Sequence, residues 1–292
     1  MGLARTITNP AGATQKPAPD ALSKLLALGR PLVMGILNVT SDSFSDGGQF
    51  IDPARAIAHA GDMAKQGADI LDIGAESTRP YGGALPVSAD DEITRLALVL
   101  PAVVKLGLPV SIDTIKANVA AWALDRGASI VNDVWGLQRD PEMAKLVAAR
   151  GMPVIVMHNR ESADENIDII ADVIAFFTRS LEIATHAGIA REKVVLDPGI
   201  GFGKTPEQSI LCIAQLAKFR RFGLPLLVGA SRKRFINSVT PSSPDDRIGG
   251  SIASHLKAVE NGASIARVHD VKETVQALRV AAAIGGAKEN EK

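Results

Sequence analysis

From residue 32 almost to its end the chain alternates short apolar runs with amphipathic stretches of helix length. Eight such runs end on a polar or ionisable residue. They are 32–37 ending at Asn38, 68–73 with Glu76 just beyond, 109–112 at Asp113, 129–131 at Asn132 and Asp133, 153–157 at His158, 194–196 at Asp197, 224–230 at Ser231, and 264–268 at His269. Between them, helical spacing of apolar residues predicts helices over 53–67, 88–106, 116–126, 141–150, 165–187, 206–219, 248–262 and 271–284, as with Ile93, Leu96, Ala97 and Leu100. Pro53, Pro141 and Pro206 stand where a first helical turn tolerates proline. Gly67, Gly127, Gly151, Gly188, Gly223 and Gly262 follow helices as C-terminal caps should.

Eight strand-helix units predict an α/β fold, a single-domain (β/α)8 TIM barrel over 31–286. Residues 1–30 read as a flexible N-terminal tail with a short helix around 20–27, and 287–292 as a C-terminal tail. A doubly wound open sheet shares the alternation, but the count of eight favours closure. In such a barrel the C-terminal strand ends converge on one rim, where the chemistry sits. The longer loops at 40–52, 76–87, 159–164 and 231–247 fall on that rim.

Composition narrows the class. The chain has 292 residues, 46% of them hydrophobic, and 32 basic against 32 acidic residues, so no global field draws it to nucleic acid or a membrane. No apolar run approaches the roughly 18 residues of a membrane span, and no leader pattern is seen near the start. The lone cysteine, Cys212, reads as a buried thiol, because a disulfide framework needs pairs. A cytoplasmic enzyme is expected.

Three constellations carry chemistry. Asp113, Asn132 and Asp197 end strands three, four and six, where carboxylates and an amide could hold a flat, nitrogen-rich heterocycle or could simply cap the following helices. Arg79, Lys204, the triplet Arg232-Lys233-Arg234, and Arg267 beside His269 gather positive charge at the same end, which suits a phosphate or pyrophosphate; singly, each reads as a solvated cation. The segment 199–205 lacks full phosphate-loop spacing. The polar loop 38–48 suits magnesium carried in on a pyrophosphate, or is an ordinary turn-rich loop. His59 and His255 fall within helices and His186 near a helix end, while His158 and His269 end strands. Neither H-E-x-x-H nor G-x-S-x-G is present, which disfavours a zinc hydrolase and a serine hydrolase.

Read as strings, the loops are more specific. Gly35-Ile36-Leu37-Asn38-Val39-Thr40, Asp42-Ser43-Phe44-Ser45-Asp46-Gly47-Gly48, Asp72-Ile73-Gly74-Ala75-Glu76-Ser77-Thr78-Arg79-Pro80, Ser111-Ile112-Asp113-Thr114, Asn132-Asp133, Asp197-Pro198-Gly199-Ile200-Gly201-Phe202-Gly203-Lys204, Ser231-Arg232-Lys233 and Arg267-Val268-His269-Asp270 occur in that order. From about residue 32 to 284 the chain resembles the dihydropteroate synthases, pterin-binding barrels of folate biosynthesis and sulfonamide targets. The resemblance implies condensation of 6-hydroxymethyl-7,8-dihydropterin pyrophosphate with 4-aminobenzoate to 7,8-dihydropteroate and pyrophosphate. It implies that Asp113, Asn132, Asp197 and Lys233 hold the pterin, and that Asn38 contacts a magnesium-pyrophosphate unit with Asp46 nearby. By the same resemblance Arg79, Arg267 and His269 bind pyrophosphate, and Thr78, Pro80, Phe202 and Ser231 form the aminobenzoate pocket over which Phe44 closes. Arg79, Lys233, Arg267, His269 and Asp46 are thus the residues expected to carry the reaction. A homodimer is also implied.

The chain departs from the family pattern at Ser41, where proline is usual, at Tyr81, where glycine is usual, and at Asn159-Arg160 after His158. A methyltetrahydrofolate-dependent corrinoid methyltransferase shares the strand-end Asp and Asn but needs no pyrophosphate site. A non-catalytic pterin-binding homologue should have lost the loop residues that are intact here.

Overall fold

The computed structural model of the chain describes residues 20–39, 52–76 and 87–289. Eight parallel strands make one sheet: β1 (Leu32–Asn38), β2 (Ile70–Gly74), β3 (Val110–Asp113), β4 (Ile130–Asp133), β5 (Val154–Met157), β6 (Val194–Asp197), β7 (Leu227–Val228) and β8 (Ile265–Val268). They lie in the order β6-β5-β4-β3-β2-β1-β8-β7, and a parallel bridge from Leu196 to Leu226 joins the two edges. The sheet therefore closes into the expected barrel rather than staying open.

Helices surround it: α1 (Ala21–Leu26), α2 (Pro53–Gln66), α3 (Ala89–Ala97), α4 (Leu100–Val104), α5 (Ala117–Leu124), α6 (Pro141–Arg150), α7 (Ile169–Ala187), α8 (Pro206–Ala214), α9 (Arg234–Val239), α10 (Ile248–Glu260) and α11 (Val271–Glu289). All six punctuating glycines have positive φ, between 58° and 104°. Asp52, Asp140 and Asp168 cap α2, α6 and α7, and Thr205 with Gln208 forms a capping box on α8.

Five boundaries differ most from the sequence pattern, and one lies at the end, where the helix expected over 271–284 runs on as α11 to Glu289, into the stretch read as a C-terminal tail. The helix expected over 88–106 breaks into α3 and α4, because Pro101 has no N–H and its ring would meet the carbonyl of Ala97, where α3 stops. The helix expected over 165–187 starts at Ile169, held back by the Asp168 cap. The helix expected over 206–219 ends at Ala214 and continues as a 3-10 turn, Leu216–Phe222. Strand seven, expected over 224–230, shrinks to Leu227–Val228 behind Pro225, which cannot donate to a ladder.

Side chains alternate between the barrel interior and its outer face. Leu32, Met34, Ile70, Ile130, Ile155, Val195, Leu227 and Ile265 make an inner apolar layer, closed from below by Leu22 of α1. The outward set, including Leu71, Ile73, Ile112, Val131, Val154 and Val268, packs against the helices. Further up the inward positions the register brings Asp72 opposite Ser111 and Asp113 opposite Asn132. An oily floor thus supports a polar upper barrel.

Candidate active site

The inward residues above the apolar layer form one network. Arg267 donates from Nε to Asp72 Oδ2 at 2.6 Å and from Nη2 to Asp113 Oδ2 at 2.7 Å, while Asn132 Nδ2 donates to the same Asp72 oxygen at 3.1 Å. Asp72 is completely buried, and a charge so placed is tolerable only when paired. Among the described residues, Asp113 Oδ1, Asp72 Oδ1 and Ser111 Oγ are buried without a hydrogen-bond partner. An unmet buried acceptor carries a penalty of about 1–3 kcal/mol, which a ligand N–H removes on binding. Burial holds the Asp113 carboxyl above the ordinary carboxylate range, opposed by Arg267 and reinforced by Asp72, Glu92 and Asp133.

Asp197 points into the same space from β6. Burial lifts its carboxyl to about 6, against the pull of the Gly199 N–H, Arg267, Lys233 and Lys204. That N–H reaches Asp197 Oδ1 at 2.7 Å and fixes the carboxylate at the loop entrance. Lys233 places its ammonium 4.0 Å from the centroid of the Phe202 ring, a cation-π contact that links the loops after β6 and β7.

The turn after β7 is held open by its neighbours. Arg232 has φ 58°, a left-handed conformation that is costly for a side chain larger than glycine. It is compensated by the Arg232 N–H to Ser251 Oγ at 2.9 Å, by Arg247 Nη1 to the Arg232 carbonyl at 3.1 Å, and by bonds from the Arg232 guanidinium to Asp270 at 2.6 and 3.1 Å. His255 accepts the Ala230 N–H at 3.2 Å from below. The result faces Ser231 Oγ toward His269, 3.2 Å from its backbone N–H and 3.0 Å from Nδ1.

The sequence-predicted residues thus divide. Asp113, Asn132, Asp197 and Arg267 share the upper barrel, and Phe202, Ser231, Lys233 and His269 gather on the loops around it. Asn38 ends β1, half-buried on the same rim. Phe44, Asp46, Thr78, Arg79 and Pro80, with Ser41 and Tyr81, lie outside the described residues. Lys204, read as one of the cations for an anionic ligand, is 8% exposed and donates to protein acceptors only, so it serves the loop instead. Asp133 faces outward and accepts the Trp135 and Leu137 N–H groups at 2.9 and 2.7 Å, a turn cap. Asp72 carried no assigned role in the sequence, although a carboxylate inside the apolar run 68–73 was a visible signal that a partner must exist.

Comparison with known proteins assigns the family. The sequence model of the family described as pterin binding enzyme matches residues 34–269. The dihydropteroate synthase of Bacillus subtilis is 44% identical over 252 residues, covering 86% of this chain and 87% of its own. A crystal structure of the Clostridium difficile dihydropteroate synthase obtained with pteroic acid superposes with a TM-score of 0.82 at 46% identity, covering 87% of this chain and 97% of that one. The Xanthomonas albilineans dihydropteroate synthase solved with 4-aminobenzoic acid gives 0.84 at 42% identity over 88% and 94% of the two chains. With a family match across the barrel and such identity over most of its length, the chain belongs to the pterin-binding enzymes, among the dihydropteroate synthases.

Proposed function

We propose that the chain joins 6-hydroxymethyl-7,8-dihydropterin pyrophosphate to 4-aminobenzoate, giving 7,8-dihydropteroate and pyrophosphate. The observation that carries this reading is the buried set Asp113, Asn132, Asp197 and Arg267, with Asp113 Oδ1 lacking a partner among the described residues. A carboxylate accepts two parallel N–H groups of an amino-pyrimidine edge, and Asn132 offers both a donor and an acceptor to the same ring. Lys233 lies against Phe202 and approaches from the loop side.

In the reaction the C–O bond from the exocyclic methylene to pyrophosphate breaks and a C–N bond to the arylamine forms, with loss of one amine proton. Positive charge growing on the methylene is spread over the electron-rich ring and favoured by the buried carboxylates Asp113 and Asp197. Arg267 and His269, with Arg79, meet the departing pyrophosphate, an interaction that strengthens as the leaving group gathers charge. The arylamine needs orientation more than a strong base. Phe202, Ser231, Thr78 and Pro80 supply that orientation, and Phe44 covers the amine.

Magnesium belongs to this proposal as an ion arriving on pyrophosphate. No group of three His, Cys, Asp or Glu among the described residues is placed to hold a metal, and the amide oxygen of Asn38 is one neutral donor. That donor set fits an ion that keeps its waters and substrate oxygens, with Asp46 beside it, and does not fit an all-protein cage. When bound, the ion would neutralise charge on the leaving pyrophosphate. We further propose a cytoplasmic homodimer that binds sulfonamides in the aminobenzoate pocket. No described helix is long and apolar enough to cross a membrane.

The test is direct. Purified chain supplied with magnesium, the pterin pyrophosphate and labelled 4-aminobenzoate forms labelled dihydropteroate. Folded protein that yields none removes the reading.

A further inference from the structure

Beneath the loop after β6 lies a chain of polar side chains that the contacts above leave unused. His158, at the end of β5, is fully buried, and Lys204 is nearly so. Lys204 Nζ is 2.6 Å from His158 Nδ1, 2.9 Å from the Gly199 carbonyl and 3.1 Å from the Phe202 carbonyl. An ammonium only donates, so its three hydrogens meet these three acceptors. The His158 ring is then neutral with its proton on Nε2, and that N–H donates to Asp172 Oδ2 at 2.9 Å. Arg160 Nη1 donates to the same oxygen at 2.9 Å. The direction of donation therefore runs one way, from Lys204 through His158 to a carboxylate held by two cationic or N–H partners.

The ionisation states agree with that geometry. Burial, followed by the charge of Lys204, pushes His158 down to about 4, which keeps the ring neutral. Burial brings Lys204 down to about 8, so it remains charged at neutral pH, with Asp197, Asp172, Cys212 and Arg160 as its other ionisable neighbours. The hydrogen bond from His158, aided by Arg160, holds Asp172 down to about 2.

The loop they support has little stiffness of its own. Gly199, Gly201 and Gly203 all take left-handed conformations, and glycine backbones lose the most freedom on ordering. A Cβ at position 199 would lie 2.0 Å from the His158 carbonyl oxygen, and one at 203 would lie 2.6 Å from that of Arg160. The loop thus rests directly on the segment that follows β5. Asp197 at its start accepts the Gly199 N–H directly, whereas Lys204 holds the Phe202 carbonyl as well as the Gly199 carbonyl, and Phe202 has only this tie to the relay.

We propose that Asp172, His158 and Lys204 are positioning residues that set Phe202, and through it the affinity for the aromatic amine. The proposal rests on the dihydropteroate synthase reading and refines one pocket of it. It also gives the segment after β5, where Asn159-Arg160 departs from the family pattern, a definite place in the site.

Three full-length variants test it through steady-state kinetics and pterin binding by titration. His158→Leu cuts the relay and raises KM for 4-aminobenzoate about tenfold, the size of one lost charge-assisted bond, while the Kd for pterin pyrophosphate stays within about twofold. His158→Gln can accept from Lys204 and donate to Asp172, and brings KM back to within about threefold of the parent. Asp172→Ala, at a half-buried position, raises the same KM by about threefold and decides the matter if His158→Leu does not fold. Equal losses for both ligands, no change in either, or His158→Gln as impaired as His158→Leu overturns the relay. A parent chain that makes no dihydropteroate removes the functional reading, whereas an active parent with unselective variants removes only the relay.

Discussion

The Asp197 carboxyl shows what binding chemistry requires of a single residue. Burial raises it from an ordinary carboxylate value to about 6. Between those two values the folded chain holds a proton that the unfolded chain has released, so this group makes stability fall as pH rises through the window, with its full penalty present above 6. A shift of that size corresponds to about 3 kcal/mol. Asp197→Asn keeps an oxygen for the Gly199 N–H and carries no charge. The variant should therefore be more stable than the parent at pH 7, by about 2–3 kcal/mol in urea unfolding, with the difference vanishing toward pH 4. It should also bind pterin poorly, as a neutral amide accepts the amino-pyrimidine edge less strongly. A variant no more stable at pH 7 than at pH 4, relative to the parent, would contradict the burial argument. Asp72 marks the limit of residue-level reading: its partner Arg267 stands 195 positions away, and no local spacing announces such a pair. Lys204 misleads in the opposite sense, because a lysine in a glycine-rich loop looks the same in sequence whether it meets a phosphate or its own carbonyls.

At the scale of elements, most of the architecture was legible because period and punctuation agree. Prolines opened α2, α6 and α8 and glycines capped α2, α6 and α7, each for a backbone reason that acts within a few residues. The misjudged boundaries at Pro101 and Pro225 also have local causes, outweighed in the reading by long apolar patterns. What no local pattern contains is how firmly each strand grips the next. The amides of Leu71, Val131 and Leu196 make equivalent bonds to the carbonyls of Pro109, Pro153 and Pro225 at 3.1, 3.0 and 3.0 Å. The first two belong to strand pairs with full register, but the third lies on the β6–β7 seam, where a single bridge stands in for a ladder. Opening that seam breaks few bonds, so native-state hydrogen exchange should show the Leu196 amide exchanging at least about tenfold faster than those of Leu71 and Val131. Equal protection at all three would mean that the barrel opens only globally. The seam borders the loops after β6 and β7, which carry Phe202 and Lys233, so local opening there coincides with the part of the site that must admit a second substrate.

For the whole molecule the question is which surface faces another copy. A barrel ringed by amphipathic helices should present polar groups outward, and over most of its surface exposed apolar residues are scattered. A contiguous apolar face among the described residues is the groove between α10 and α11. Of the nine exposed large hydrophobic residues among those described, Ile248, Val280 and Ile284 lie there, 36%, 54% and 58% accessible. They line a cavity of about 570 Å³ together with Ile252, Leu256 and Ala277. A contiguous apolar groove between two helices favours association, and a self-complementary contact about a two-fold axis is the commonest closed solution. This face supports the proposed homodimer and leaves the catalytic rim of each barrel open, because α10 and α11 flank the sides rather than the strand ends. Val280→Glu sets a charge on the apolar lining of the groove, which a second copy covering it would have to bury unpaired. Sedimentation should then find a monomer with an unchanged far-ultraviolet spectrum, while the parent sediments as a dimer. A variant that dimerises as the parent does would place the interface on another face of the barrel.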